Sequence, residues 1–337
     1  MGEKTKIEWT DHSWSPWRGC TKVSPGCAHC YAETLSKRNP AVLGQWGKGK
    51  PRVRAKNWQE PVRWNKDAAE FPYHCEKCGT RIADPEQLGS PFACPTCNYV
   101  LSPYRPRVFP SLCDWLDDEV PIEWLADFLK RIHATPYLTW QLLTKRPENF
   151  RPRLRAVLDM VKVGDGDGGT WQSMTAMWAG VPLMDNRPPA NVWFGVSVED
   201  RPRKERLEAL NGIPAAVKFC SFEPLLEDLE LTRDDVRMLD WAIIGGESGP
   251  GSRPCNVDWI SPIITQCRSA GVACFVKQMG SNCITDNANL HDWPDATILE
   301  SRGEAFAGAR ARFRHAKGGD WSEWPEELRV RQFPEAL

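Results

Sequence analysis

The stretch from residue 191 to residue 222, "NVWFGVSVEDRPRKERLEALNGIPAAVKFCSF", decides the fold class. An apolar run rich in β-branched and aromatic residues occupies 191–198, an amphipathic stretch follows over 201–212, and a second apolar run occupies 216–222. Strand, helix and strand in this order form one parallel β/α unit, because parallel neighbours need a crossover connection and a helix usually supplies it.

The same alternation continues on both sides of that unit. Apolar runs of strand length lie at 107–112, 137–144, 241–246 and 272–278, and amphipathic stretches lie at 121–134 and 258–271. Repeated β/α units predict an α/β fold, either a barrel or a doubly wound sheet. In both architectures, polar residues at the carboxyl ends of the strands are candidates for a site.

Polar side chains follow the apolar runs one after another. They are Ser111, Asp114, Lys145, Arg146, Ser197, Glu199, Glu223, Glu247, Lys277 and Gln278. Any one of them could be an ordinary solvated loop residue. Together they predict a ring of side chains around one pocket.

Composition limits the class of protein without naming a partner. The chain has 337 residues, 41% of them hydrophobic, and a formal net charge of -1, so nucleic acid would have to meet a local basic patch. A charged N-terminus and the lack of an apolar run of about 18 residues predict a cytoplasmic protein with no membrane contact. Thirteen cysteines in such a chain are expected to be metal ligands or free thiols.

Residues 66–105 contain two C-x2-C pairs separated by fifteen residues, formed by Cys75, Cys78, Cys94 and Cys97. Each pair presents two thiolates at a tight turn, and the segment between them can bring the pairs together around one tetrahedral ion. The spacing predicts an inserted zinc ribbon with a closed structural site. A second iron-sulfur or redox centre is the alternative.

A second cysteine set lies in "GCTKVSPGCAHCYAE", residues 19–33, which contains Cys20, Cys27 and Cys30. A zinc site there would need His12, His29 or a distant cysteine as fourth ligand. Three free thiols are another interpretation. The third is a four-iron, four-sulfur (4Fe-4S) cluster held at three corners, which leaves one iron open to a ligand that is not protein.

This loop resembles the cluster loop of radical S-adenosylmethionine (radical SAM) enzymes. With "LLTKRPENF", "VWFGVSVED", "FEPLLEDL", "WAIIGGESGPGSRP", "FVKQMG" and "WPEELRVRQFP", it resembles a phage-associated three-cysteine family of unassigned function near the spore photoproduct lyase group. The first gap in the cysteine loop is six residues where the superfamily commonly has three, and His29 stands where an aromatic residue usually precedes the last cysteine.

The resemblance implies a partial (β/α) TIM-like barrel with the inserted zinc ribbon. Residues 1–65 would hold the cluster loop and the start of the barrel, 66–105 the ribbon, and 106–337 the rest of the barrel and a C-terminal extension. S-adenosylmethionine would bind the open iron, and its reductive cleavage, with electrons from a donor, would abstract hydrogen from a substrate.

The resemblance also implies residue roles at the cofactor. Ser111 and Asp114 would accept hydrogen bonds from the amino group of S-adenosylmethionine, and Lys145 or Arg146 would pair with its carboxylate. The remaining contacts would come from Tyr31, Ser197, Glu199 and Glu247. Cys113 would return a hydrogen atom to the substrate radical, with Cys220 as the second candidate; a small buried apolar residue is the alternative for both.

Residues 34–59 contain seven Lys or Arg and no acid, with Trp46 and Trp58 interleaved. This pattern can track a phosphate backbone while aromatic rings stack on bases, although a solvated basic loop has the same composition. We therefore expect a nucleobase or nucleic-acid substrate. The alternatives are a non-catalytic nucleic-acid-binding protein with two structural metal sites, and a radical SAM enzyme that modifies a peptide. The Gly-rich segment 163–190 is expected to be a long loop covering the site.

Overall fold

A curled parallel sheet forms the centre of the molecule. The structure is a computed structural model, and it describes residues 5–84, 93–161, 170–180, 187–286, 297–300 and 309–334. Across the sheet the strands are β1 (His12–Ser13), β7 (Arg107–Phe109), β8 (Thr139–Thr144), β9 (Val192–Ser197), β10 (Val217–Phe222), β11 (Trp241–Gly245) and β13 (Ala273–Gln278). Each strand is parallel to its neighbours. The arrangement is a half-barrel, compatible with the expected partial barrel.

The six apolar runs predicted as strands are all strands of this sheet, and they follow one another in chain order. The edge strand β1 was not predicted, because two residues are too few to show a period. Consecutive parallel strands bring all their carboxyl ends to the same edge of the sheet.

Helices cover one face of the sheet and enclose the larger hydrophobic core. They are α4 (Ile122–His133), α5 (Phe150–Val161), α6 (Thr170–Ala179), α7 (Glu205–Asn211), α8 (Arg233–Arg237) and α9 (Ile260–Ala270). In α4 the buried residues Leu125, Phe128, Leu129 and Ile132 recur at helical spacing, so one side of the helix packs on the sheet.

The opposite, inner face of the sheet has its own aromatic cluster. It includes Trp9, Phe109, Trp193, Phe219, Trp241 and Phe275. Because side chains alternate along a strand, Ser197 and Ser221 lie on this face as well, nearer the carboxyl ends. The inner face therefore changes from aromatic to polar toward the edge where the candidate site residues lie.

The segment 163–190 is not one long loop. Thr170–Ala179 forms helix α6, and its Trp178 is fully buried and stacks on Trp115 with ring centroids 5.8 Å apart. Residues 163–169 and 181–186 lie outside the described residues. The predicted loop that covers the site falls partly on them.

A small antiparallel sheet lies in the 66–105 segment, and one of the four cysteines, Cys75, belongs to it. Its strands are β4 (Tyr73–Cys75), β5 (Arg81–Ile82) and β6 (Leu101–Pro103), in the order β5-β4-β6. The unit follows α3 (Glu60–Glu70), to which the Arg81–Asp67 ion pair joins it, and leads within a few residues into the amino end of β7. It therefore lies at the amino edge of the large sheet, away from the carboxyl ends of the strands.

The remaining elements complete the periphery. The first part of the chain forms α1 (Tyr31–Ser36), α2 (Pro40–Leu43) and the ribbon of β2 (Trp17–Arg18) with β3 (Val53–Arg54). The C-terminal part forms a second sheet of β12 (Cys255–Asn256), β14 (Cys283–Thr285), β16 (Ala309–Arg312) and β15 (Thr297–Glu300). Among the described residues, the helices are too short or too polar to cross a bilayer.

Candidate functional site

The three cysteines of the 19–33 loop line one cavity at the carboxyl edge of the sheet. The cavity has an empty volume of about 630 Å³, which includes its open mouth. Most of the residues singled out from the sequence line it: Cys20, Cys27, Cys30, Tyr31, Ser111, Cys113, Asp114, Lys145, Arg146 and Ser197. Glu199 and Glu247 are not among its lining residues; they lie beside it and hold the cysteine loop.

Arg146 anchors the start of the cysteine loop. Its guanidinium donates to the Thr21 carbonyl at 2.5 Å and to Cys20 Sγ at 3.5 Å. The side chain is only 3% exposed and also pairs with Asp114 Oδ2 at 3.0 Å. A buried guanidinium in contact with sulfur can stabilise the thiolate form of Cys20.

Asp114 lies in the cavity wall, but the structure gives it partners other than the predicted amino group. Its Oδ1 accepts from Leu116 N at 3.0 Å and Thr144 Oγ1 at 2.7 Å. Its Oδ2 accepts from Lys145 N at 2.9 Å and Arg146 Nη1 at 3.0 Å. Four donors fill a carboxylate's acceptor sites. Asp114 therefore positions Arg146, and the Ser111 hydroxyl is the acceptor left on this strand end.

Glu199 anchors the middle of the cysteine loop and is completely buried. Its Oε1 accepts from Ser24 Oγ at 2.5 Å and pairs with Lys145 Nζ at 2.7 Å, while its Oε2 pairs with Arg206 Nη1 at 2.7 Å. Burial raises the pKa of this carboxyl, but Lys145, Arg206 and Ser24 outweigh burial and lower it below its ordinary value. Glu199 is thus an ionised side chain that holds the cysteine loop through Ser24, and it does not line the cavity.

Glu247 anchors the end of the same loop. Its Oε2 lies 2.9 Å from His29 Nδ1, and Arg253 pairs with its Oε1 at 2.5 Å. Arg253 also donates to the Pro25 carbonyl at 2.9 Å. The carboxylates after β9 and β11 therefore both hold the loop that carries the cysteines.

Burial affects two of the three thiols of the cysteine loop, and it affects the neighbouring Cys113 as well. Burial, followed by the charge of Asp114, raises the pKa of Cys20 to about 12, although Arg146 lowers it. Burial also raises the pKa of Cys30 and that of Cys113. A bound metal would release these protons, because thiolates are the ligating form.

The sulfurs of Cys20, Cys27 and Cys30 do not converge on a single ion. Among the described residues, three or more ligand atoms lie within 4.8 Å of one another only in the Cys75, Cys78, Cys94 and Cys97 group. The fourth ligands considered for a zinc site also have other partners, since His12 stacks on Trp64 at 4.1 Å and His29 Nδ1 faces Glu247. Thiolates that bind three different irons of a cluster need not lie that close.

The tetracysteine group has the geometry of a one-ion site. Cys75 Sγ and Cys97 Sγ lie 3.5 Å apart, as do Cys78 Sγ and Cys94 Sγ. Four sulfurs at about 2.3 Å from a zinc ion are separated by roughly 3.8 Å in a tetrahedron. These four residues could hold a metal such as zinc.

Around the cavity mouth, hydroxyl groups come from separate parts of the chain. Ser13 Oγ and Ser111 Oγ lie 2.6 Å apart, and Tyr31 OH donates to the Ser111 carbonyl at 2.6 Å. Cys113 lines the cavity, whereas Cys220 is fully buried in the core between sheet and helices. Of the two candidate hydrogen donors, only Cys113 is placed where a cavity ligand can reach it.

The basic segment 34–59 divides into two parts. Arg52 is buried and pairs with Asp117 at 2.8 Å, Arg54 pairs with Asp127, and Trp58 packs edge-on against Trp14 at 5.2 Å. These three are structural. Apart from Arg54, the exposed cations are Lys37, Arg38, Lys48, Lys50 and Lys56, and Trp46 lines the cavity.

Sequence patterns did not indicate Ser24, Gly26 and Arg253, which fix the cysteine loop, or Arg206, which pairs with Glu199. Gly26 lies against Glu199, where a Cβ would lie 2.4 Å from Glu199 Cγ. The loop sequence "SPG" was the available signal, because a glycine in such a loop often marks a close approach.

The fold and site define an α/β protein with a curled parallel sheet, whose carboxyl edge holds a cysteine-lined cavity and whose amino edge carries a tetracysteine unit. Residues 4–325 match DUF5131, a family described as proteins of unknown function, and the chain belongs to it. Neither a curated protein nor a solved structure matches the chain.

Proposed function

We propose that this protein is a radical SAM enzyme, in which Cys20, Cys27 and Cys30 hold a 4Fe-4S cluster and S-adenosylmethionine binds beside it. One observation carries the proposal: three cysteines and the polar strand ends line the same cavity. When bound, the cluster and S-adenosylmethionine would supply a hydrogen-abstracting radical.

The residues of the chain would bind and orient the cofactors. Lys145 and Arg146 place positive charge in the wall, suited to a carboxylate, although both already have acidic partners. The Ser111 hydroxyl would accept from the amino group, Ser197 would contact the ribose, and Tyr31 would border the cofactor. Glu199, Glu247 and Asp114 would act through the loop and through Arg146.

A nucleobase or nucleic acid is the substrate that the surface favours. Lys37, Arg38, Lys48 and Lys50 are exposed within the segment that carries Trp46 to the cavity wall. Phosphates on these cations would bring a base toward the cavity, where Cys113 would be the hydrogen donor.

The tetracysteine unit would be a zinc ribbon with a structural role. Its four sulfurs all lie within 4.8 Å of one another and leave no thiol for an open coordination position. Its place at the amino edge of the sheet separates it from the proposed chemistry.

The test is S-adenosylmethionine cleavage by anaerobically reconstituted protein with dithionite. We expect methionine and 5'-deoxyadenosine from the wild type and from Cys255→Ala, whose thiol belongs to neither cysteine set, and none from Cys30→Ala. A wild type that binds only zinc and leaves S-adenosylmethionine intact would favour the non-catalytic nucleic-acid-binding protein instead.

A further inference from the structure

Four carboxylates follow strands at the carboxyl edge of the sheet, and one of them differs from the rest. Asp114, Glu199 and Glu247 accept hydrogen bonds on both oxygens. Glu223 uses only Oε1, which accepts from Lys277 Nζ at 2.6 Å and Gln278 Nε2 at 3.3 Å. Within the described part of the chain, no donor reaches Glu223 Oε2.

A glycine of the intervening strand lies next to this cluster. Glu223 follows β10 and Lys277 lies in β13, with β11 between those two strands in the sheet. The cluster spans β11 at Gly245, where an added Cβ would lie 3.4 Å from Glu223 Cδ and 3.5 Å from Gln278 Cγ. A longer side chain at 245 would fill the space in which the charged groups meet.

The cluster lies on the same side of the sheet as the cysteine loop, although its residues do not line the cavity. Glu223 continues the alternation of Phe219 and Ser221, which puts it on the inner side of the sheet. Gln278 Nε2 donates to the Gly246 carbonyl, and the next residue, Glu247, holds His29 of the loop. The side chains of Glu223 and Lys277 keep 18% and 22% of their surface exposed, so a ligand can reach them.

An unoccupied carboxylate oxygen beside an ammonium group is complementary to a ring N–H beside a carbonyl. Guanine, thymine and uracil present this lactam edge, with the N–H toward Glu223 and the carbonyl toward Lys277. Adenine and cytosine present the reverse, a bare ring nitrogen beside an amino group. We infer that Glu223 and Lys277 select a lactam base as the substrate, an inference that rests on the proposed function and specifies its substrate class.

The competing explanation is that the ion pair only ties β10 to β13, in which case bases would not be distinguished. Saturation-transfer NMR on the purified chain, without S-adenosylmethionine or reductant, separates the two. We expect thymidine and deoxyguanosine to bind about tenfold more tightly than deoxyadenosine and deoxycytidine. Glu223→Gln and Lys277→Met should lose this preference, while Glu230→Gln, at the exposed pair with Arg201, should keep it.

The inference would be overturned if the four nucleosides bound with equal affinity or if none of them bound. It would also be overturned if the Glu223→Gln or Lys277→Met variant unfolded at the wild-type temperature and kept the preference unchanged. The measurement needs no cluster chemistry. If the nucleoside preference is absent, the proposed S-adenosylmethionine cleavage can still be correct. If S-adenosylmethionine is not cleaved, the nucleoside preference can still be measured.

Discussion

Glu199 and Gly26 are in direct contact, so close that a Cβ on residue 26 would lie 2.4 Å from Glu199 Cγ. The two residues belong to different parts of the chain, the cysteine loop and the end of β9. Their contact, together with the Ser24–Glu199 hydrogen bond of 2.5 Å, fixes how the loop sits on the sheet.

Gly26→Ala should displace the loop, because neither Glu199 nor the backbone can move away freely. We expect the free energy of unfolding to fall by about 1–3 kcal/mol, as for other overpacked sites, and reconstituted iron to fall with it. Gly212→Ala is the matched control, since its added Cβ would meet its nearest atom only at 3.6 Å. Equal effects of the two substitutions would show that the Glu199 contact does not matter.

Glu199→Gln should leave Lys145 and Arg206 without their buried partner. We expect a loss of about 3 kcal/mol in the free energy of unfolding at neutral pH, measured by denaturant titration of the metal-free protein. The exposed Glu230→Gln should change it by less than about 0.5 kcal/mol. An equally small change in the free energy of unfolding of Glu199→Gln would show that the buried carboxylate does not stabilise the protein.

The same carboxylate predicts a pH dependence. Lys145, Arg206 and Ser24 lower the pKa of Glu199 in the folded state despite its burial. Its contribution to stability is therefore complete above the unfolded-state pKa of about 4.3 and is lost as the pH falls through the lower folded-state value. The difference in unfolding free energy between wild type and Glu199→Gln should shrink as the pH falls below about 4. A difference that does not change with pH would mean that the ionised carboxylate is not what stabilises the loop.

Cys94→Ser should remove zinc from the tetracysteine unit without removing iron from the protein. The unit leads into the amino end of β7, whereas the cavity lies at the carboxyl edge, so the two metal sites should load independently. Metal analysis by mass spectrometry checks this, with Cys267→Ser as the control because Cys267 is buried in α9. Retained zinc in Cys94→Ser, or lost iron, would contradict the separation.

Replacing Lys48 and Lys50 together by Ala should weaken binding to single-stranded DNA and reduce its salt dependence. Each lost phosphate contact lowers the slope of log K against log salt by about 0.7. Lys130→Ala with Arg237→Ala removes two exposed charges elsewhere and should leave the slope unchanged. An unaltered slope in the first pair would remove the basic segment from the proposed interface.

The sequence was sufficient to predict the main strands of the large sheet and much of the cavity wall. Apolar periodicity located β7 to β11 and β13, and parallel strands necessarily bring Ser111, Lys145 and Ser197 to one edge. Cysteine spacing likewise placed Cys75 to Cys97 around one centre. Both signals are local in sequence, so one chain suffices to detect them.

The roles of the acidic residues were not predictable in this way. Glu199 and Glu247 were expected at the cofactor, yet they meet Ser24 and His29, which lie 175 and 218 residues away along the chain. Strand periodicity tells where a carboxylate emerges but not which loop packs over it. Similarly, nothing in the composition of 34–59 distinguishes the buried Arg52 from the exposed Lys48, because the partner Asp117 lies far away in the sequence.

Iron content after anaerobic reconstitution tests the central claim most directly. The wild type should bind about four irons per chain in addition to the tetracysteine metal and turn brown, and Cys255→Ala should do the same. Cys27→Ala should lose nearly all of this iron while it keeps the tetracysteine metal. A colourless wild type that contains zinc alone, or iron that remains bound in Cys27→Ala, would contradict a cluster held by Cys20, Cys27 and Cys30.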